Sequence, residues 1–195
     1  MILTPKLQKA IIGASVLHAD QKRKGDGLPY IIHPFSVACI LSNYTDDEDV
    51  IVAGLLHDTL EDVPEYTKDD LIKDFGERIC KIVQEVSEDK DPNDSEEKEK
   101  SSWQERKEKY IANLKNDSQE ALLVSCADKI HNLRSMMDTY KTQGEEVWKN
   151  FNAPKDKILW YYREVLGVMK DKLDNEIVKE LEKVFAEAKP ILSET

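Results

Sequence analysis

Apolar residues recur along most of this chain at intervals of three and four, and no sustained alternation of apolar and polar positions interrupts them. That is the period of helices rather than strands. Leu7, Ala10, Ile11, Ala14 and His18 form the first stripe, with Thr4 as N-cap and Pro5 in the first turn, and the helix is expected to run to about Arg23. Gly25-Asp26-Gly27-Leu28-Pro29 must then be a loop. Pro34 suits the first turn of a second helix ending near Asn43. Thr45 and Glu48 have the spacing of a capping box for a third, Asp49 to about Asp62, and Thr67, Asp70 and Gly76 frame a fourth.

Charged residues and serine dominate from Glu85 to Lys109, and Pro92 and Asn93 oppose any helix, so residues 87–100 are expected to form a charged surface loop. Ser102 and Glu105 can start a helix reaching Leu114. Asp117 or Ser118 can start the next, whose stripe includes Leu122, Leu123, Cys126 and Ile130. Two C-terminal helices are predicted, around Lys155 to Lys172 and Glu176 to Ala188. With no internal repeat and no strand pattern, the expected fold class is an all-α bundle, one domain over residues 1–195.

The balance of 28 basic against 39 acidic residues, a formal charge of −11, narrows the partners. Nucleic acid and anionic membrane are both held by clustered Lys and Arg, so neither is expected. A small anionic ligand remains compatible if basic residues gather locally. The longest apolar run, Val50 to Leu56, falls far short of the ~20 residues that span a bilayer. The apolar stretch Ala10 to Leu17 reads as part of an amphipathic helix, not a signal-peptide core. Cys39, Cys80 and Cys126 have no CxxC spacing and apolar neighbours, which predicts buried, reduced thiols and a cytoplasmic location.

Chemistry enters at the end of the third helix. Val50-Ile-Val-Ala-Gly-Leu-Leu is apolar on every face and should cross the core, yet it leads into His57-Asp58-Thr59-Leu60-Glu61-Asp62. Ionised carboxylates buried without partners cost several kcal/mol each, so a cation or a compensating network must meet them. Helical spacing pairs His57 with Glu61 and Asp58 with Asp62. The plain alternative, a helix end with solvated acids and one core histidine, is weakened by two further residues. His33 sits between prolines in Pro29-Tyr-Ile-Ile-His-Pro34, and Asp128 stands mid-helix among apolar positions. Together His33, His57, Asp58 and Asp128 form a set that suits Mn²⁺, Fe²⁺ or Zn²⁺ with room for water and substrate.

The combination H…HD…D resembles the HD superfamily of metal-dependent phosphohydrolases. The segments HADQKRKGDGLPYIIHP, LLHDTLEDV, FGERICKIVQEVSEDK and CADKIHNLR are similar, in order, to the hydrolase domain of the RelA/SpoT family and its small stand-alone relatives. This resemblance implies an HD-domain helical bundle with His33, His57, Asp58 and Asp128 as metal ligands, usually for Mn²⁺, though another divalent ion would serve. It implies that Glu61 and Asp62 orient or deprotonate the attacking water and assist the leaving group. Arg23 would pack on a purine, Asn132 would lie near the ribose, and Lys24 would meet phosphates. Between Arg23 and His33 this chain carries one residue more than the pattern Arg-Lys-x-Gly-x-Pro-Tyr-Ile-x-His.

Other residues have blander readings. His18 reads as a core histidine and His131 as a residue orienting a ligand. Lys90, Arg106 and Lys107 read as solvated charge, with phosphate contact as the rarer option, and Trp160-Tyr161-Tyr162 as packing between helices or as a base pocket. The implied activity is hydrolysis of the 3′-pyrophosphate of guanosine tetra- or pentaphosphate, the alarmone of the stringent response, to GDP or GTP and pyrophosphate. The alternatives are another HD nucleotide phosphohydrolase, acting on NADPH or a nucleoside monophosphate, and a non-catalytic alarmone sensor. The expected partner is a small anionic nucleotide, and a homo-oligomer stays open.

Overall fold

A computed structural model describes residues 2–23, 25, 27–88 and 95–193. Eleven α-helices and one 3-10 segment make up its regular structure among these residues: α1 (Pro5–Leu17), α2 (Ile32–Leu41), α3 (Glu48–Leu56), α4 (Thr59–Asp62), α5 (Lys68–Phe75), α6 (Glu77–Val86), α7 (Glu96–Ser101), α8 (Trp103–Leu114), α9 (Gln119–Gln143), the 3-10 turn Gly144–Asn150, α10 (Lys155–Lys172) and α11 (Ile177–Ser193). The all-α expectation holds. No described helix is long and apolar enough to cross a membrane.

Two helices organise the rest. In α3 every residue from Val50 to Leu56 is buried, and α1, α2, α6 and α9 pack around it. The 25-residue α9, capped by the Ser118 hydroxyl accepting from the Ala121 N–H, runs against α2, α3, α6 and α11. Gly54 lets α2 and α3 approach closely, since a Cβ there would lie 2.4 Å from Leu41 Cδ1 and 3.4 Å from Val37 Cγ1.

Several predicted boundaries move, each for a local reason. α1 ends at Leu17 rather than near Arg23, because residues 21–23 leave the helix to pair with 28–30. The Arg23 N–H donates to the Leu28 carbonyl and the Tyr30 N–H to the Gln21 carbonyl, both at 2.9 Å. Gly25 and Gly27, at φ 138° and 70°, turn this small hairpin. The Thr45–Glu48 capping box does not form, since Asp47 caps α3 by accepting from the Asp49 N–H. The predicted helix from Asp49 to Asp62 is interrupted at His57 and Asp58. There the His57 ring bonds the Gly54 carbonyl and the Thr59 hydroxyl the Leu56 carbonyl, competing with the backbone ladder.

The expected loop over 87–100 is partly helical. Ser95 accepts from the Lys98 N–H and caps α7, whose Glu and Lys residues are good helix formers. Ser102 precedes α8 without capping it, because its hydroxyl donates to the Lys98 carbonyl. The Thr67–Asp70 box forms as predicted. α11 continues past Ala188 through Pro190, anchored by buried Leu192. Cys80 and Cys126 are buried thiols, but Cys39 faces out, on the exposed side of α2.

Gly54→Ala should cost about 1–3 kcal/mol by overpacking against Leu41. Urea denaturation measures this, and the same variant should bind divalent metal more weakly, because His33 on α2 faces His57 at the end of α3.

Candidate active site

His33 stands in the first turn of α2, His57 and Asp58 form the turn between α3 and α4, and Asp128 lies mid-way along α9. Their side chains converge. His33 Nε2 is 3.2 Å from His57 Nε2, 3.4 Å from Asp58 Oδ2 and 3.1 Å from Asp128 Oδ1. His57 Nε2 is 3.1 Å from Asp58 Oδ2 and 3.7 Å from Asp128 Oδ1. Ligands held ~2.0–2.2 Å from one first-row ion at angles between octahedral and tetrahedral lie about 2.8–3.6 Å from each other. His33, His57 and Asp58, whose donor atoms all lie within 4.8 Å of one another, therefore fit a divalent cation in both chemistry and spacing, and Asp128 Oδ1 adjoins the two histidines.

Surrounding groups fix how each of these side chains faces the centre. The Gly54 carbonyl accepts from His57 Nδ1 at 2.9 Å, so Nε2 is the edge that faces inward. His33 Nδ1 meets His131 Nδ1 at 2.7 Å. Burial, with His33 and Arg23 beside it, lowers the His131 pKa to about 4, so that ring is neutral and can accept the His33 proton. Tyr30 donates its hydroxyl to Asp58 Oδ2 at 2.6 Å, and Asn132 its amide to Asp128 Oδ1 at 2.6 Å. Lys129, itself buried, donates to the other Asp128 oxygen. Burial opposes ionisation of both aspartates, yet their neighbours prevail: His57 and His33 keep Asp58 well below the usual carboxylate range, and Lys129 with the same histidines does so for Asp128. Burial likewise opposes charge on His57, but Asp58 and Asp128 raise its pKa well above the ordinary value.

The centre opens on two continuous spaces. The larger, about 550 Å³, is lined by Arg23, Tyr30, Asp58, Glu61, Asp62, Asn132 and Tyr162 among others. The smaller, about 170 Å³, is lined by His33, His57, Asp58 and Asp128 and continues past Glu61 and Glu88 to Lys107, Tyr110, Ser125 and Lys129. Arg23 donates to Asn132 Oδ1 at 3.1 Å and Ser135 Oγ at 3.4 Å, with its guanidinium 5.8 Å from the Tyr30 ring centre. Glu61 accepts from the Glu88 N–H at 3.2 Å. Burial, then the charges of Glu88, Asp58 and Asp62, raise the Glu61 pKa to about 8.

Of the residues singled out from sequence, Arg23, His33, His57, Asp58, Glu61, Asp62, Asp128 and Asn132 all come together here. Lys24 and Lys90 lie outside the described residues. Arg106 and Lys107 are not solvated charge: both side chains are largely buried, and both bond Glu88, itself buried. His18 is a core histidine, 2.6 Å from Gln21 Oε1 and packed on Tyr30. Tyr161 is buried among Trp103, Tyr110 and Tyr162, whereas Tyr162 reaches the larger space. Lys129, Tyr30 and Glu88 escaped the sequence reading; for Lys129 a cation beside a buried aspartate was the available signal.

The HD domain family matches residues 10–158. The guanosine-3′,5′-bis(diphosphate) 3′-pyrophosphohydrolase MESH1 of Danio rerio is 37% identical over 136 residues, covering 68% of this chain and 70% of that protein. The guanosine-3′,5′-bis(diphosphate) 3′-pyrophosphohydrolase of Aquifex aeolicus is 36% identical over 131 residues, which are 67% of this chain but 18% of that protein. Among solved structures, a metazoan orthologue of SpoT that hydrolyses ppGpp superposes with a TM-score of 0.76 at 29% identity, covering 96% of this chain and 97% of the other. A Listeria monocytogenes protein superposes with a TM-score of 0.67 at 29% identity, covering 83% and 98%.

Asp128→Ala should abolish stoichiometric retention of divalent metal while the far-ultraviolet circular dichroism stays helical; full metal content after dialysis would overturn the ligand assignment. A carboxyl-detected NMR titration should place Glu61 near 8 in metal-free protein and lower once metal is added, because a neighbouring cation favours the carboxylate.

Proposed function

This chain belongs to the HD-domain family, and we propose that it removes the 3′-pyrophosphate of guanosine tetra- and pentaphosphate, giving GDP or GTP and pyrophosphate. The observation that carries this reading is the cluster of His33, His57 and Asp58, with Asp128 beside the two histidines, which opens onto a nucleotide-sized cleft edged by Arg23. It is supported by likeness along almost the whole chain to a protein that hydrolyses ppGpp.

We assign His33, His57, Asp58 and Asp128 as the ligands of one Mn²⁺ ion, a choice that their nitrogen and oxygen donors suit. When bound, such an ion supplies Lewis-acid charge toward phosphoryl oxygens and acidifies water. The remaining work falls to the protein. Water oxygen attacks the phosphorus nearest the ribose, the bond to the 3′-oxygen breaks, and that oxygen leaves with a proton. Glu61 exchanges the proton, since a carboxyl raised toward neutrality can both hold and release one near pH 7. Asp62, on the next position of α4 and at the larger cleft, orients the water. Arg23 presents its guanidinium to the guanine and Asn132 holds the ribose side of the cleft. We place the reaction in the cytoplasm, where free thiols such as exposed Cys39 stay reduced.

Purified protein with Mn²⁺ should release pyrophosphate from guanosine tetraphosphate. Orthophosphate from NADPH alone would transfer the reading to another nucleotide phosphohydrolase, and binding without products would make the protein a sensor. Glu61→Gln should lower kcat by about 10²-fold with metal content retained. Arg23→Ala should raise KM for the guanosine substrate by roughly 1–2 kcal/mol with a smaller change in kcat, and Lys should restore little because it lacks a flat stacking surface. Restoration by Lys that fades with added salt would instead make Arg23 a general phosphate attractor.

A further inference from the structure

The helix that carries Glu61 and Asp62, α4, is a single turn of four residues. Such a turn is not stable alone, because forming it orders more residues than it makes hydrogen bonds. Its ends must be held from outside, and the small hairpin that pairs residues 21–23 with 28–30 holds both. At the start, the Tyr30 hydroxyl donates to Asp58, the residue that precedes α4. At the finish, Gln21 Nε2 donates to the Asp62 main-chain carbonyl at 2.6 Å. The last carbonyls of a helix have no partner in their own ladder, so this bond closes the turn. Gln21 and Tyr30 are themselves joined, the Tyr30 N–H donating to the Gln21 carbonyl at 2.9 Å.

Which end of the Gln21 amide faces α4 is decided by His18. That residue is 1% exposed, at the C-terminal cap of α1, and its Nδ1 lies 2.6 Å from Gln21 Oε1. An amide oxygen only accepts, so Nδ1 carries a proton and donates it. His18 Nε2 has no hydrogen-bond partner among the described residues, so the bond to Gln21 is the one hydrogen bond of a ring otherwise packed on Tyr30. Turned the other way, the amide would set its oxygen against the Asp62 carbonyl and its nitrogen against the imidazole N–H, two repulsive contacts. We propose that His18 and Gln21 are positioning residues: the imidazole orients the amide, and the amide fixes Glu61 and Asp62 against the hairpin that carries Arg23. The pair acts only through α4, and what α4 then does rests on the proposed function above.

The test compares His18→Phe, which keeps a flat ring on Tyr30 but no N–H, with His18→Asn, whose amide nitrogen can donate from near the place of Nδ1 although the ring is gone. Gln21→Met keeps the length of the side chain and removes both amide contacts. In Mn²⁺-loaded protein, with metal content measured for each variant, His18→Phe and Gln21→Met should lower kcat for guanosine tetraphosphate about 10-fold with little change in KM, since small misplacements of reacting groups are costly. His18→Asn should keep more of kcat than His18→Phe, and combining His18→Phe with Gln21→Met should be no slower than Gln21→Met alone. The Asp62 and Val63 N–H groups make the turn's own bonds to Asp58 and Thr59. Their hydrogen exchange should quicken about 5- to 10-fold in His18→Phe and Gln21→Met while α10 is unchanged. A loss confined to KM would make Gln21 a substrate contact and overturn the proposal. Unchanged kcat, unaltered exchange in α4, or a His18→Asn variant slower than His18→Phe would overturn it too. If His18→Phe folds poorly, Gln21→Met, at a half-buried position, decides. If the parent turns over no guanosine substrate, the proposed function fails, and exchange in α4 still decides whether this pair holds the turn.

Discussion

Two aspartates and two histidines held at the buried crossing of α2, α3 and α9 impose the dominant electrostatic constraint on this fold. Each donor atom lies within 3.7 Å of at least two others. Removing two carboxylates from water costs several kcal/mol apiece unless positive charge or donated protons answer them. Much of the surrounding architecture provides those answers. Lys129 and Asn132 serve Asp128, the Tyr30 hydroxyl serves Asp58, and the inward edges of two imidazoles serve both. A divalent cation replaces the part of this compensation that protonated histidine supplies, which ties metal binding to the packing of three helices.

The interruption between α3 and α4 follows from the same constraint. An uninterrupted helix would commit the Gly54 and Leu56 carbonyls to its own ladder, but here the His57 ring and the Thr59 hydroxyl claim them. The cost of the lost regularity is offset because the Gly54 bond fixes the tautomer of His57. Gly54 thus serves twice, letting α2 come close enough to bring His33 opposite His57 and offering the carbonyl that aims the second ring. Just beyond the break, α4 is a single turn, and it carries Glu61 and Asp62 to the cleft without a long helix between them and the metal.

The cluster of His33, His57, Asp58 and Asp128 was legible in the sequence because its members break local rules: a His-Asp pair ends a fully apolar helix, and an aspartate interrupts an apolar stripe. The helices were legible where one face is buried and the other wet, as in Lys68–Phe75 with its capping box. What stayed hidden depends on residues distant in the chain. Nothing near Glu88 indicates that Arg106 and Lys107 will meet it, so those cations read as solvated until α6 and α8 are brought together. The amphipathic α6 begins directly after the Gly76 that ends α5, and no loop residues announce it. Cys39 misled because its neighbours are apolar while its own face of α2 turns outward. Tyr30, recognisable only as part of a motif, gains its role from a hairpin whose pairing no periodicity reveals.

A net charge of −11 and an anionic substrate are reconciled by where the charges sit. Beyond a Debye length of ~8 Å at physiological salt, exposed acids contribute little to the potential inside the cleft, whereas buried groups are weakly screened. Within the cleft, the cations Arg23, Lys107 and Lys129 are already bonded to protein groups before any nucleotide arrives. Their orientation is therefore fixed in advance, and a phosphate that enters meets dipoles and charges that need little rearrangement. The carboxylates that hold them also keep the interior near balance, so that one added divalent ion shifts the centre toward binding anions. In this arrangement the protein can remain acidic overall while its cleft sets three fixed cations, Arg23, Lys107 and Lys129, beside the carboxylates.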